Sequence, residues 1–216
     1  MRALIISGGT IENDFALSFI KEYQPEYIVA ADHGLLFCLE NDLKADMVVG
    51  DFDSAPAGVL EQYTGKYQVP VRRFNPVKDA TDTEIAVRQV VEAGASEAVL
   101  LGTTGTRLDH TIGNMQCLHI LLDAGIQAYI LDSHNRISLH REDFSIRKED
   151  QFGQYVSFLP AGDVVEELTL TGFKYLLTKH RVTNTDSLCI SNEITEEEAL
   201  VSFTGGQLYM IQSRDR

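Results

Sequence analysis

A change of rhythm near residue 136 limits what this chain can fold into. Before it, short apolar runs at residues 3–6, 27–31, 47–49, 71–74, 98–101 and 128–131 alternate with helical patterns. These runs have few polar interruptions, as expected of strands covered on both faces. One helix is expected to open at Thr81-Asp82-Thr83-Glu84, which has capping-box spacing, and to carry Ile85, Val87, Val90 and Val91 up to Gly94. A second is expected over residues 110–124, with Ile112, Met115, Leu118, Leu121 and Leu122 as its apolar set. Strand and helix alternating at this length predict an α/β fold with a doubly wound, mostly parallel sheet.

After residue 136 the chain reads as strands only, at 137–140, 154–159, 168–170, 175–182 and 188–191. Thr204-Gly205-Gly206-Gln207 reads as a hairpin turn between 200–203 and 208–211. Short strands in this number predict a small all-β sandwich or barrel. The expected division is an α/β domain over 1–135 and a β domain over 136–216.

Thirty-two acidic residues against eighteen Lys and Arg leave a net charge of −14. A duplex-binding protein carries a basic surface, so no nucleic-acid partner is expected, and anionic membranes are disfavoured for the same reason. No apolar run reaches the ~18 residues of a membrane span. Cys38, Cys117 and Cys189 are odd in number and widely spaced, which reads as buried free thiols in a reducing cytoplasm. An acidic chain can still hold an anionic ligand through a divalent metal.

In a doubly wound sheet, ligands bind beyond the carboxyl ends of the strands. The segments that follow the expected strands are Ser7-Gly8-Gly9-Thr10, Asp32-His33-Gly34, Gly50-Asp51-Phe52-Asp53-Ser54, Lys78-Asp79-Ala80-Thr81-Asp82, Gly102-Thr103-Thr104-Gly105 running into Arg107-Leu108-Asp109-His110, and Asp132-Ser133. Each has a bland reading. Gly8 and Gly9 suit a tight turn as well as a phosphate cradle. Asp32, Asp82 and Asp109 suit helix starts, and Asp51 and Asp53 suit an Asx turn. Together, however, Asp51, Asp53, Asp79, Asp82 and Asp109 would crowd one edge, and Lys78 and Arg107 are too few to neutralise them. A hard divalent ion with oxygen ligands is the natural complement, and with Arg and Lys it describes phosphoryl chemistry on a polyphosphate. No Gly-x-x-x-x-Gly-Lys-Ser/Thr is present, which disfavours P-loop kinases.

Gly50-Asp51-Phe52-Asp53-Ser54, Lys78-Asp79-Ala80-Thr81-Asp82 and Arg107-Leu108-Asp109-His110, in this order, resemble the thiamine pyrophosphokinase family over nearly the whole chain. The resemblance implies an α/β nucleotide-binding catalytic domain and a thiamine-binding β-sandwich. It implies transfer of the pyrophosphoryl group of ATP to thiamine, with release of AMP. It also implies a homodimer whose active sites lie at the subunit interface, with Mg²⁺ or Mn²⁺ as the metal. Carried onto this chain, it gives Asp51, Asp53 and Asp79 as metal ligands, and Asp82 and Asp109 as further members of the catalytic acidic set. Lys78 and Arg107 would hold phosphates. Gly8, Gly9, Asp32, Thr103, Thr104, Gly105 and His110 would line the nucleotide. Ser191 and Asn192 would belong to the thiamine site.

Two departures stand out. His33 occupies the middle of Asp32-His33-Gly34, where the family has Asp-Gly-Gly. The chain has no Trp, whereas the closing strand of many relatives carries one that packs on thiamine; Tyr209 is the nearest aromatic. A pyrophosphokinase of another small alcohol, such as a pterin, and a nucleotide-sensing module without turnover are the alternative readings.

Overall fold

Residues 3–6 are fully buried, and this one segment organises the first half of the molecule. The computed structural model describes residues 1–52, 58–73 and 80–215. The chain divides into two units, Met1–Ser133 and His134–Arg216. In the first, β1 (Arg2–Ile6), β2 (Tyr27–Ala31), β3 (Met47–Gly50), β4 (Val71–Arg73), β5 (Glu97–Leu101) and β6 (Gln127–Leu131) pair in parallel. Their order is β4-β3-β2-β1-β5-β6. The chain steps outward from β1 to β4, then returns to place β5 on the other side of β1. The sheet therefore has its topological switch point between β1 and β5. The expected parallel α/β sheet is borne out, because Ala3, Leu4, Ile5 and Ile6 lie between two neighbouring strands with both faces covered.

The crossovers carry α1 (Asn13–Tyr23), α2 (Gly34–Glu40), α3 (Val59–Tyr67), α4 (Asp82–Glu92) and α5 (Leu108–Asp123). Thr81 caps α4 as its spacing predicts: Oγ1 accepts from the Glu84 N–H at 3.2 Å. Glu84 does not reach back to close the box; its carboxylate takes Arg88 at 2.8 Å instead. The expected apolar stripe of α5 needs correction. Cys117, Leu118 and Leu121 are buried, but Ile112 is 58% exposed, and the polar Asn114 takes a buried place. Among the described residues no helix is long and apolar enough to cross a membrane.

The second unit is a two-sheet sandwich. β7 (Asn135–His140), β13 (Leu208–Ser213) and β9 (Tyr155–Pro160) are antiparallel, with β13 in the middle. The facing sheet is β11 (Leu177–Thr183), β10 (Val164–Thr171), β12 (Glu198–Ser202) and β8 (Phe144–Arg147), in that order. Alternate residues from both sheets form one core: Val156 and Phe158, Leu208 and Met210, Leu168 and Leu170, Ala199 and Val201. This alternation is what makes the segment legible as strands.

Two expectations for this unit are overturned. Residues 200–203 and 208–211 form no hairpin: β12 pairs with β10 and β8, while β13 pairs with β7 and β9. The intervening turn closes on β10 instead, where Glu166 donates to Gly205 O at 3.1 Å and accepts from the Thr204 N–H at 3.0 Å. The reason is that Ala199, Val201, Leu208 and Met210 face one core from opposite sheets. Residues 188–191 form a turn, not a strand, and Ser191 has a left-handed φ of 59°.

Phe158 is 1% exposed at the centre of this core, 5.5 Å edge-on to Phe173. Phe158→Ala should lower stability by about 3–5 kcal/mol, read by chemical denaturation, since the cavity cannot close between two sheets.

Candidate active site

The turns after β1 and β5 are joined backbone to backbone. Ser7 donates to Leu101 O at 2.9 Å, Gly9 to Gly102 O at 2.6 Å and Thr10 to Thr104 O at 2.8 Å. Gly102 has φ +66°, and a Cβ there would meet Ser7 O at 2.2 Å, so only glycine fits. Gly9 lines the floor, but its N–H is already used. Its place is explained by close approach of the two turns rather than by donation to a phosphate.

Buried polar side chains pin the helices to this floor. Ser7 Oγ and Thr83 Oγ1 share a hydrogen bond at 3.0 Å. Asn114 Nδ2 donates to Thr103 O at 2.8 Å, and Thr104 Oγ1 donates to Asp132 Oδ2 at 2.8 Å. Thr83, Asn114 and Asp132 were not singled out from sequence. Asn114 had a readable signal: it lies on the helix face of Leu118 and Leu121, where a polar residue needs a partner.

A cleft of about 560 Å³ opens above this floor. It is lined by Gly8, Gly9, Asp32, Asp82, Thr103, Thr104, Gly105, Arg107 and His110, all expected there, and by a ring of further threonines that includes Thr10, Thr83 and Thr111. His33 also lines it. Its φ of −62° and ψ of −19° are ordinary helical values. The position that demands glycine is Gly34, whose Cβ would meet Ile6 O at 2.1 Å.

Three carboxylates converge in this region. Asp32 after β2, Asp51 after β3 and Asp82 in the first turn of α4 each offer an oxygen, all within 4.8 Å of one another. All three are half-buried. Mutual repulsion at this spacing is relieved by a cation, and three hard oxygen donors suit Mg²⁺ or Mn²⁺. The expected ligand trio was Asp51, Asp53 and Asp79. Asp51 is in the cluster, while Asp53, Asp79 and the phosphate-side Lys78 lie outside the described residues. Asp32, expected at the nucleotide, brings its carboxylate to the cluster.

Asp109 is not among the three. It forms a forked pair with Arg107, with Nη2–Oδ2 at 2.6 Å and Nε–Oδ1 at 3.2 Å, on the exposed first turn of α5. In the second unit, Ser191 is exposed and its N–H donates to Ser157 Oγ at 2.9 Å. Asn192 is 3% exposed, and its amide bonds the backbone of Tyr175.

Fold and cleft together define a class: an α/β unit with an acidic cluster beyond the carboxyl ends of its parallel strands, followed by a β-sandwich. Comparison with known proteins narrows it. The model of the thiamin pyrophosphokinase catalytic domain matches residues 22–130, and that of the thiamin pyrophosphokinase vitamin B1 binding domain matches residues 142–208. A thiamine pyrophosphokinase of Bacillus subtilis is 32% identical over 191 residues, covering 87% of each chain. A crystal structure of a thiamine pyrophosphokinase from Bacillus subtilis superposes with a TM-score of 0.89 at 30% identity, covering 100% of both chains. That of Geobacillus thermodenitrificans gives 0.86 at 34%, covering 100% of this chain and 98% of the other. The chain belongs to the thiamin pyrophosphokinase family.

The Arg107 fork holds the Asp109 carboxyl down to about 2 from an ordinary 3.8, through its hydrogen bonds above all. A depressed carboxyl keeps its charge until the pH falls through that value. Asp109 should therefore titrate near pH 2 by carbon NMR, and Arg107→Gln should raise it toward the ordinary value, the His110 contribution remaining. An unchanged titration in that variant would show that Arg107 is not its partner.

Proposed function

We propose that this protein is a thiamine pyrophosphokinase, moving the pyrophosphoryl group of ATP onto the hydroxyethyl oxygen of thiamine and releasing AMP. The observation that carries the reading is the match of both domain models, in order, on a chain that gathers Asp32, Asp51 and Asp82 beyond the carboxyl ends of its parallel strands. The thiamine hydroxyl oxygen bonds to the β-phosphorus, the bond to the oxygen bridging α and β breaks, and the hydroxyl proton is released. Bound Mg²⁺ would supply charge neutralisation of the polyphosphate. Asp32, Asp51 and Asp82 would hold it, with Asp53 and Asp79 completing the acidic set. Arg107 would exchange its fork on Asp109 for a phosphate, and Lys78 would assist. Gly8, Thr103, Thr104, Gly105 and His110 would shape the nucleotide side. Most of the acceleration comes from positioning and electrostatics.

The three thiols are buried and free, and burial pushes Cys38 and Cys117 up to about 12 and about 11. Inert thiols without a disulfide support a cytoplasmic setting. AMP release should require Mg²⁺ or Mn²⁺ and cease in excess EDTA. Asp51→Asn and Asp82→Asn should each lower kcat at least ~100-fold, more than the loss of an outer partner at a metal site. Either variant with near-normal turnover would remove that residue from the ligand set. Parallel assays with thiamine and with pterin alcohols identify the acceptor.

The family reading also supports a homodimer with each active site shared between subunits. Asp51→Asn and Asn192→Ala chains, each nearly inactive alone, should then recover roughly a quarter of wild-type activity when mixed in equal amounts, by the site counting of two-fold symmetry. No recovery after demonstrated subunit exchange would place each site within one chain.

A further inference from the structure

α4 is held down along an apolar face, where Ile85, Ala86, Val87 and Val90 are buried. Apolar burial has no preferred direction, so by itself it leaves small slides and rotations of a helix nearly free. One contact near the helix start is directional. Thr83, the residue after Asp82, shares a hydrogen bond at 3.0 Å with Ser7, just beyond β1. Both residues are buried, at 9% and 3% exposure. A valine has the shape of threonine without the polar atom, and alanine is serine without its own. An apolar pair would therefore cost less to bury, and the hydroxyls need a reason beyond holding the helix down.

Ser7 is a fixed reference point. Its N–H donates to Leu101 O at 2.9 Å, and its carbonyl stands 2.2 Å from where a Cβ at Gly102 would lie. The Thr83 hydroxyl thus ties the first turn of α4 to the joined turns of β1 and β5. Thr81 sets where the helix begins, its Oγ1 accepting from the Glu84 N–H at 3.2 Å. Asp82 lies between these two threonines. Its carboxylate must meet those of Asp32 and Asp51, which come from two other turns, with all three oxygens within 4.8 Å of one another. A small hard cation tolerates little error, since Mg²⁺ demands oxygens at about 2.0–2.1 Å. A small slide of α4 would take one ligand away from the other two.

We propose that the Ser7–Thr83 hydroxyl pair positions the carboxylate cluster: it fixes α4 along its axis, and through α4 the Asp82 carboxylate, for a divalent cation. Both are positioning residues, and neither hydroxyl is itself a ligand. This rests on the metal-dependent reading of the site given above.

The test titrates Mn²⁺ alone, without nucleotide, by the electron paramagnetic resonance of the free ion, and pairs it with chemical denaturation in EDTA. Thr83→Val leaves the Ser7 hydroxyl buried without its partner. It should lower stability and weaken Mn²⁺ binding ~10-fold, as the loss of an outer partner does at metal sites. The double variant Ser7→Ala/Thr83→Val removes both polar atoms and should recover most of that stability, while Mn²⁺ binding stays ~10-fold weaker than wild type. A merely structural contact would not separate the two readouts. Thr83→Ser keeps the hydroxyl and should bind Mn²⁺ within about twofold of wild type. Wild-type Mn²⁺ affinity in the folded double variant would overturn the proposal. So would Thr83→Ser as weak as Thr83→Val, which would show that the hydroxyl is not what matters. Unchanged Mn²⁺ binding with a raised KM for ATP would replace it with direct contact to the nucleotide, since both residues line the cleft. Wild-type protein that binds no Mn²⁺ would overturn the metal reading and this proposal together. Wild-type protein that binds Mn²⁺ but releases no AMP with thiamine would overturn the enzyme reading alone.

Discussion

Beyond the last paired residues of β1 and β5, Ser7, Gly9 and Thr10 go on donating backbone hydrogen bonds to Leu101, Gly102 and Thr104. In most doubly wound sheets the crevice opens where neighbouring strands diverge. Here the two turns stay in backbone contact, and the absence of a Cβ at Gly102 permits it. α4 and α5 are then held over one floor, the first by the Ser7–Thr83 hydroxyl pair and the second by Asn114 on Thr103 O. The cleft's shape is therefore written mainly in main chain and buried polar groups. Surface substitutions around its rim should leave it intact.

Electrostatics in this cleft pull two ways. The N-terminal turns of α4 and α5 contribute Thr81, Asp82, Arg107 and His110 to its wall, and helix N-termini favour anions. Asp32 and Asp82 bring negative charge into the same space, with Asp51 beside them, on a chain of net charge −14. A polyphosphate alone would meet repulsion from the carboxylates. A divalent cation alone would leave the helix ends and Arg107 unused. The two together would satisfy both sets of groups, which is why the proposed metal dependence and nucleotide binding would be one electrostatic requirement. The Arg107–Asp109 fork is solvent-exposed on both sides, and such pairs are held weakly enough to be exchanged.

The sequence made the parallel sheet legible because its strands are buried on both faces and so read as unbroken apolar runs, as residues 3–6 do. The cap at Thr81 was legible for a local reason, the hydroxyl's reach to the Glu84 N–H. The site was legible at the level of turns and not of atoms. Asp51 and Asp82 were correctly drawn to one edge, but nothing local to Asp32 says that its φ of 47° sets its carboxylate near both. Asp109 was grouped with them because it follows β5; Arg107, two residues earlier, captures it instead. The false hairpin at 204–207 has the same origin. Turn chemistry and alternation are identical whether two strands pair with each other or face each other across a core, and only long-range packing decides.

The Ser191-Asn192 pair is tied into the chain around it by hydrogen bonds that its neighbours dictate. The Tyr175 clamp needs one side chain that donates to a carbonyl and accepts from an N–H at the same time, from a buried position. Aspartate would set its carboxylate against the Tyr175 carbonyl, and a serine hydroxyl cannot span both backbone groups from one oxygen. Glutamine has the same head on a stem longer by one methylene, which would displace the amide from backbone groups now 2.8 and 2.9 Å away. Asparagine is thus selected at this position by hydrogen-bond geometry alone. Ser191 adds the left-handed φ of 59° that turns the chain into the clamp, with its N–H tied to Ser157 Oγ.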